Sequence, residues 1–334
     1  MKTLHIKSPC CQAKIYHFGN RRRQCSLCKK TWRIRVKKRG RKNIRVHPNI
    51  ESTVIRRKES LRHQSSRLNK GREKVRKHHH KNLELLLKST SPTIAPRGQL
   101  IAIIDGWHLY FKKQKYTVYL ILLRSINDNR AIIMEPVLIN GWENKNDWER
   151  VFSLLPSSVQ KRIKAVVSDG ITGIEGISNE RGWILQRCHF HQLKMLQTLR
   201  GQKWSTINNK ELREHIYQNV CKILETPSDY LANKLFLETK QLLQKPECPK
   251  WLKRRVSGFL RRVDNFRAYR KYPHLNLPIT TNSAECVWQG ITETFRLTRG
   301  FSTPKSFELW LKVQLRTTKT IKCNGKIFNQ INVS

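Results

Sequence analysis

The chain predicts an α/β fold, and three observations carry that reading. Apolar runs of strand length follow one another closely from residue 101 and then alternate with helical spacing. A stretch rich in Leu, Lys and Arg, at about 192–272, has helical spacing and no strand signal. A C-x2-C pair near the start, followed by a strongly basic segment, stands apart from both. With 334 residues the chain is longer than a typical single domain. The expected boundaries are a cysteine knuckle at 1–35, a basic helical region and linker at 36–96, and an α/β domain at 97–334.

Charge narrows the partner. The chain has 67 Lys and Arg against 23 Asp and Glu, a net +44. Such a charge repels itself unless a polyanion neutralises it, which makes nucleic acid the leading partner. A structural RNA-binding protein shares that property. An anionic membrane surface is the rival, but no 18-residue apolar stretch and no cleavable signal is present, so a cytoplasmic setting is expected. The charge is uneven: residues 1–100 hold 29 Lys and Arg against four acids.

In the first segment, Cys25-Ser-Leu-Cys28 is half of a zinc-ribbon-like pattern. The other half is irregular, since Cys10 and Cys11 are adjacent rather than spaced by two. Either these four sulfurs form a zinc site, with His5 or His17 open as replacements, or the two pairs are fortuitous. From Arg33 a basic run follows, containing Arg35, Lys37, Lys38, Arg39, Arg41 and Lys42. It is either a solvated tail or a strip lying along phosphates. Residues 51–88 lack proline and carry an apolar stripe broken at Asn69-Lys70-Gly71, which predicts a helix–turn–helix with Arg72 and Arg76 on its basic face. His78-His79-His80 reads as basic surface, because a helix points three neighbours in different directions. Residues 89–98, with two prolines, read as a linker.

The body opens with strands at 101–105, 116–123 and 131–138, then a helix at 146–155, a strand at 163–167 and a short apolar run at 183–188. This order is that of the ribonuclease-H-like fold, in which the first and fourth strands lie side by side and present acids to one metal site. The stretch at 192–272 would be an all-α insertion. Asp105 and Asp169 each end an apolar run and each precede a glycine, and Glu285 follows Thr280-Thr281-Asn282. Three carboxylates suit a hard divalent cation such as Mg2+ or Mn2+, and a pair of such ions suits phosphoryl displacement. Each acid also has a plain alternative. Asp-Gly is a common hairpin turn, and a glutamate three residues after a Thr or Asn cap is a capping-box acid.

Together these residues resemble the DDE transposases of the Mutator-like superfamily and its bacterial insertion-sequence relatives. The resemblance rests on Asp105, on Val-Val-Ser-Asp-Gly at 166–170, on Arg-Cys-His-Phe-His at 187–191 and on Thr-Thr-Asn-Ser-Ala-Glu at 280–285. It covers roughly residues 1–315. It implies Asp105, Asp169 and Glu285 as metal ligands, with Cys188, His191 and Asn282 as accessory residues. It further implies metal-dependent cleavage and strand transfer at terminal inverted repeats of double-stranded DNA, by a homodimer or larger synaptic assembly in a prokaryotic nucleoid. One departure is Trp107 followed by His108, where many relatives carry Thr two positions after the first Asp. Trp183 and Trp288 read either as core or as platforms for unpaired bases.

Overall fold

A computed structural model describes residues 7–18, 22–33, 61–171, 173–200, 209–297, 301 and 303–323. The chain divides into two compact units, Met1–Asn49 and Ile50–Ser334. The first holds a three-stranded antiparallel sheet of β1 (Ile15–His17), β2 (Arg22–Cys25) and β3 (Thr31–Arg33).

The second unit begins, among its described residues, with α1 (Leu61–Arg67) and α2 (Arg72–Ser89), separated by a break at the predicted place with Asn69 at φ 47°. The histidine triplet departs from its surface reading. His79 is buried, and its Nε2 meets Gln64 Oε1, so this histidine joins the two helices. Burial lowers its pKa and keeps it neutral. One face of α2 packs on the body: Leu83 enters its core, and Arg316 donates to the carbonyls of Leu87 and Thr90 at the helix end.

The strands are β4 (Leu100–Phe111), β5 (Gln114–Ser125), β6 (Arg130–Ile133), β7 (Val137–Asn140), β8 (Ile163–Ser168), β9 (Ile184–Arg187) and β10 (Thr320–Lys322). Their order is β10-β6-β5-β4-β8-β9, with β7 also on β5. The first three form an antiparallel meander, while β8 lies parallel to β4 and β9 parallel to β8, so the predicted first and fourth strands are neighbours.

Two sequence expectations change here. Asp105 does not end its strand, because β4 runs on to Phe111 and turns at Lys112-Lys113, both at positive φ (46° and 70°). A two-residue hairpin of the I′ type needs that conformation, normally from Asn or Gly, and two lysines give no such signal. The expected strand at 131–138 is split at Glu135-Pro136, since proline cannot donate to a ladder.

Alternation along β4 defines the layers. Leu100, Ala102 and Ile104 face α3 (Lys145–Ser153), α4 (Ser157–Gln160) and α5 (Ile174–Glu180), through Trp148, Phe152, Val159 and Ile177. Ile101 and Ile103 share the opposite core with two later helices. Between β9 and those helices comes a helical segment with its own core: α6 (His189–Arg200), α7 (Lys210–Glu225), α8 (Asp229–Leu242), α9 (Lys250–Leu260), α10 (Val263–Phe266) and α11 (Ala268–Lys271). Buried Gln186 ties it to the sheet, donating to the Phe266 carbonyl at 2.9 Å and accepting from the Tyr269 amide at 2.8 Å. The chain then forms α12 (Asn282–Leu297) and α13 (Pro304–Thr318), whose ends return the chain to the edge of β6 as β10. Trp183 and Trp288 are core: the first packs on Phe152 at 4.9 Å and the second on Trp107 at 5.6 Å. Among the described residues no helix is long and apolar enough to cross a membrane.

Candidate active site

The parallel ladder between β4 and β8 ends with Ile103 opposite Val167, and both side chains belong to the same core layer. Two residues further along each chain stand Asp105, still within β4, and Asp169, just past the end of β8, and alternation along β4 turns Asp105 to that same face. Asp105 is thus inside a strand yet at the end of a ladder. It is buried, with its Oδ1 accepting from the Gly106 amide at 2.9 Å. Burial and then the charge of Asp169 push its pKa up to about 7, against the opposing pull of His191.

The third acid arrives on α12. Thr281 stands at the cap position, with the amides of Ala284 and Glu285 donating to its carbonyl, and Glu285 lies in the first turn as the sequence predicts. The Thr281 hydroxyl does not cap the helix. It lies 3.5 Å from Cys188 Sγ, the Thr281 amide lies 3.4 Å from the same sulfur, and His191 Nδ1 lies at 3.4 Å. Three polar groups therefore converge on one buried sulfur. The Cys188 amide in turn donates to the Ser168 carbonyl at 2.8 Å, which fixes this knot beside Asp169. His191 presents its other nitrogen to Glu285 Oε1 at 3.5 Å. Its pKa is raised to about 9, first by Cys188 and then by the charges of Asp169 and Glu285, against burial.

All six predicted site residues in this domain come together, with Asn282 lining an open groove of about 670 Å³ alongside Phe190, Glu285, Trp288 and Arg296. The three acids do not close on one point. Among the described residues, the only group of three or more Cys, His or acidic ligand atoms within 4.8 Å of one another is Cys10, Cys11, Cys25 and Cys28. Asp169 Oδ1 and Glu285 Oε1 are nevertheless buried without a hydrogen bond. Buried carboxylate oxygens without a hydrogen bond are costly, and Glu285 Oε1 has only the 3.5 Å ion pair with His191; carboxylate oxygens are the donors that a hard divalent cation takes.

Both glycines of the Asp-Gly pairs now have a reason beyond turn formation. A Cβ on Gly106 would lie 2.7 to 2.9 Å from the carboxylate of Glu143. A Cβ on Gly170, whose φ is 112°, would overlap the guanidinium of Arg187. Neither Glu143 nor Arg187 is singled out as a site residue by the sequence. Glu143 carried one signal, an acid at a strand-to-helix junction in an acid-poor chain. Arg187 carried only its place beside Cys188.

In the first unit two turns face each other. The Ser8 amide donates to the Ala13 carbonyl and the Ala13 amide to the Ser8 hydroxyl around Cys10 and Cys11, and the Cys25 amide donates to the Lys30 carbonyl around Cys28. Gln12 and Lys29, each just after a cysteine, have positive φ. The adjacent pair thus supplies both sulfurs, and the four cysteines are close enough to hold a metal such as zinc without His17; His5 lies outside the described residues. Contact with Ser8 and backbone amides holds Cys25 down to about 6, while Cys28 and burial push Cys11 up to about 12. Of the expected DNA-binding residues, Arg33 ends β3, and Arg35, Lys37, Lys38, Arg39, Arg41 and Lys42 lie outside the described residues. Arg72 is exposed on α2, whereas Arg76 is engaged by Glu73 at 2.7 and 2.9 Å.

No protein-family model matches this chain, and no curated protein sequence matches it significantly.

Proposed function

We propose that this chain is a DDE-type DNA transposase with a ribonuclease-H-like core, the helical segment being an insertion ahead of the third acid. One observation carries the proposal: two aspartates stand just past the end of a parallel ladder, and buried oxygens of Asp169 and of the helix-borne Glu285 make no hydrogen bond. Asp105, Asp169 and Glu285 are assigned to hold Mg2+ or Mn2+. When bound, such ions activate a nucleophile and stabilise the leaving oxygen of an in-line phosphodiester displacement.

The chain's own residues do the rest. Asp105 sits on a rigid strand position, and Asp169 directly follows the last residue of β8. His191 carries positive charge beside Glu285 and holds α12 against the strand ends through Cys188 and Thr281. The net charge of +44 supplies the sequence-independent attraction to double-stranded DNA. The cysteine cluster, with zinc, would stabilise the basic N-terminal unit; pairing of two transposon ends would require at least a dimer.

A donor-plasmid assay tests this. Plasmid carrying the inverted repeats that flank the gene should be nicked in Mg2+ and left intact by Asp169→Asn. Equal cleavage by both proteins, or none by the wild type under any divalent cation, refutes the assignment.

A further inference from the structure

We infer that the uncovered face of the β4–β5 hairpin, with Tyr110 and Trp142 at its centre, is a stacking platform for the unpaired bases of a single-stranded DNA segment. The inference goes beyond the transposase reading and uses none of the three acids, because this face of β4 is the one opposite Asp105.

β4 and β5 run on past Asp105 to the turn at Lys112-Lys113, and along this extension their two faces differ. Leu109 and Phe111 are buried in the core that includes Phe307. On the other face the core shared with α3, α4 and α5 takes Leu100, Ala102 and Ile104, whereas His108 and Tyr110 beyond them are exposed. Tyr110 pairs with Lys115 across the hairpin, so their side chains share that face. Lys115 Nζ lies over the ring of Trp142, just after β7, and the ring of His108 lies 6.0 Å from the same indole. Strand pairing and two ring contacts thus gather four side chains on one surface. Tyr110 is 61% exposed and Trp142 is 68% exposed.

A solvated sheet face is ordinarily polar, and two large rings held together in water mark a surface that meets something. Charge selects the occupant. Lys112, Lys113 and Lys115 border the rings, while Glu143, the acid that faces His108, has its side chain only 17% exposed. A second copy of this chain, itself at net +44, would be repelled. Single-stranded DNA fits both features, since its phosphates meet the ammonium groups and its bases stack on the rings without regard to sequence. A duplex keeps its base faces covered and would leave Tyr110 and Trp142 unused. Trp183 and Trp288 cannot serve in this way, because both are core.

The test compares an oligothymidylate with an abasic backbone of the same length and charge, by fluorescence anisotropy with the full-length protein in buffer free of divalent cations. Wild type should bind the oligothymidylate roughly 10- to 100-fold more tightly than the abasic strand. Trp142→Ala and Tyr110→Ala should each remove roughly tenfold of that preference, and unchanged affinity for the abasic strand shows that both variants are folded. Lys112→Gln combined with Lys113→Gln should weaken both oligomers alike. Equal binding of the two oligomers by wild type, or a preference that survives both aromatic substitutions, overturns the inference. So does a loss of affinity for blunt duplex as large as the loss for oligothymidylate, which would assign the face to paired DNA. A dimer that Trp142→Ala dissociates would assign it to a second copy and overturn the inference as well. Asp169→Asn, which tests the cleavage reading, should keep the wild-type preference, so the two readings fail separately.

Discussion

Replacing Asp105 by asparagine should reverse its effect on stability between acid and alkaline pH. Asp105 is 8% exposed, and burial beside Asp169 lifts its pKa from 3.8 to about 7. Between those values the folded protein keeps a proton that the unfolded chain has released. Raising the pH through this window therefore favours unfolding, and above it the penalty is constant. A shift of about three units at about 1.4 kcal/mol each gives roughly 4 kcal/mol. Asparagine cannot ionise and escapes that penalty, although a buried amide without a full set of partners costs about 1–2 kcal/mol. At about pH 8, in buffer free of Mg2+ and Mn2+, Asp105→Asn should thus be more stable than wild type by about 2 kcal/mol. At about pH 4 it should be less stable by about 1 kcal/mol, since only the amide cost remains. Urea unfolding followed across that range gives the comparison, and adding Mn2+ at pH 8 should close or invert the gap by favouring the carboxylate. A stability difference that does not vary with pH would refute the argument from burial and like charge.

Other expectations concern the remaining parts. The full-length protein should carry one zinc by elemental analysis, and Cys25→Ser should lower that content sharply; equal zinc in both would rule out the four-sulfur site. Arg267 is buried at the junction of α7, α8 and α10, donating to the carbonyls of Ile223 and Thr226 and to Asp229 at 2.6, 3.0 and 2.7 Å. Arg267→Met should destabilise the helical segment by about 2 kcal/mol in thermal or urea melts, chiefly because the Ile223 and Thr226 carbonyls lose a charged donor, Asp229 being exposed to water. Arg267→Lys should restore only part, because an ammonium lacks the planar fork that reaches three acceptors.

How far the sequence is legible differs from element to element. The strands before Asp105 and Asp169 are legible from apolar runs, because a buried parallel strand needs consecutive apolar residues and little else, whereas their pairing is expected from the order of elements. Where β4 ends is not legible. Asp105-Gly106 has the composition of a hairpin turn, and the true turn at Lys112-Lys113 does not. The helix start before Glu285 is legible from its Thr and Asn, yet the Thr281 hydroxyl is turned to Cys188, a partner 93 residues away. The short edge strand β10 is invisible to pattern alone, since three residues gain strand geometry only from pairing with β6.

By itself the sequence determined the charge that calls for a polyanion, the three acids, the four clustered cysteines and the face on which alternation places each core residue. These are local properties: side-chain chemistry, period and charge do not wait for folding. Only the tertiary structure decided what stands beside the acids. Glu143 over Gly106, Arg187 over Gly170 and the sulfur of Cys188 between His191 and Thr281 are contacts between segments distant in the chain, and no local pattern encodes the space that a glycine leaves for another segment's side chain.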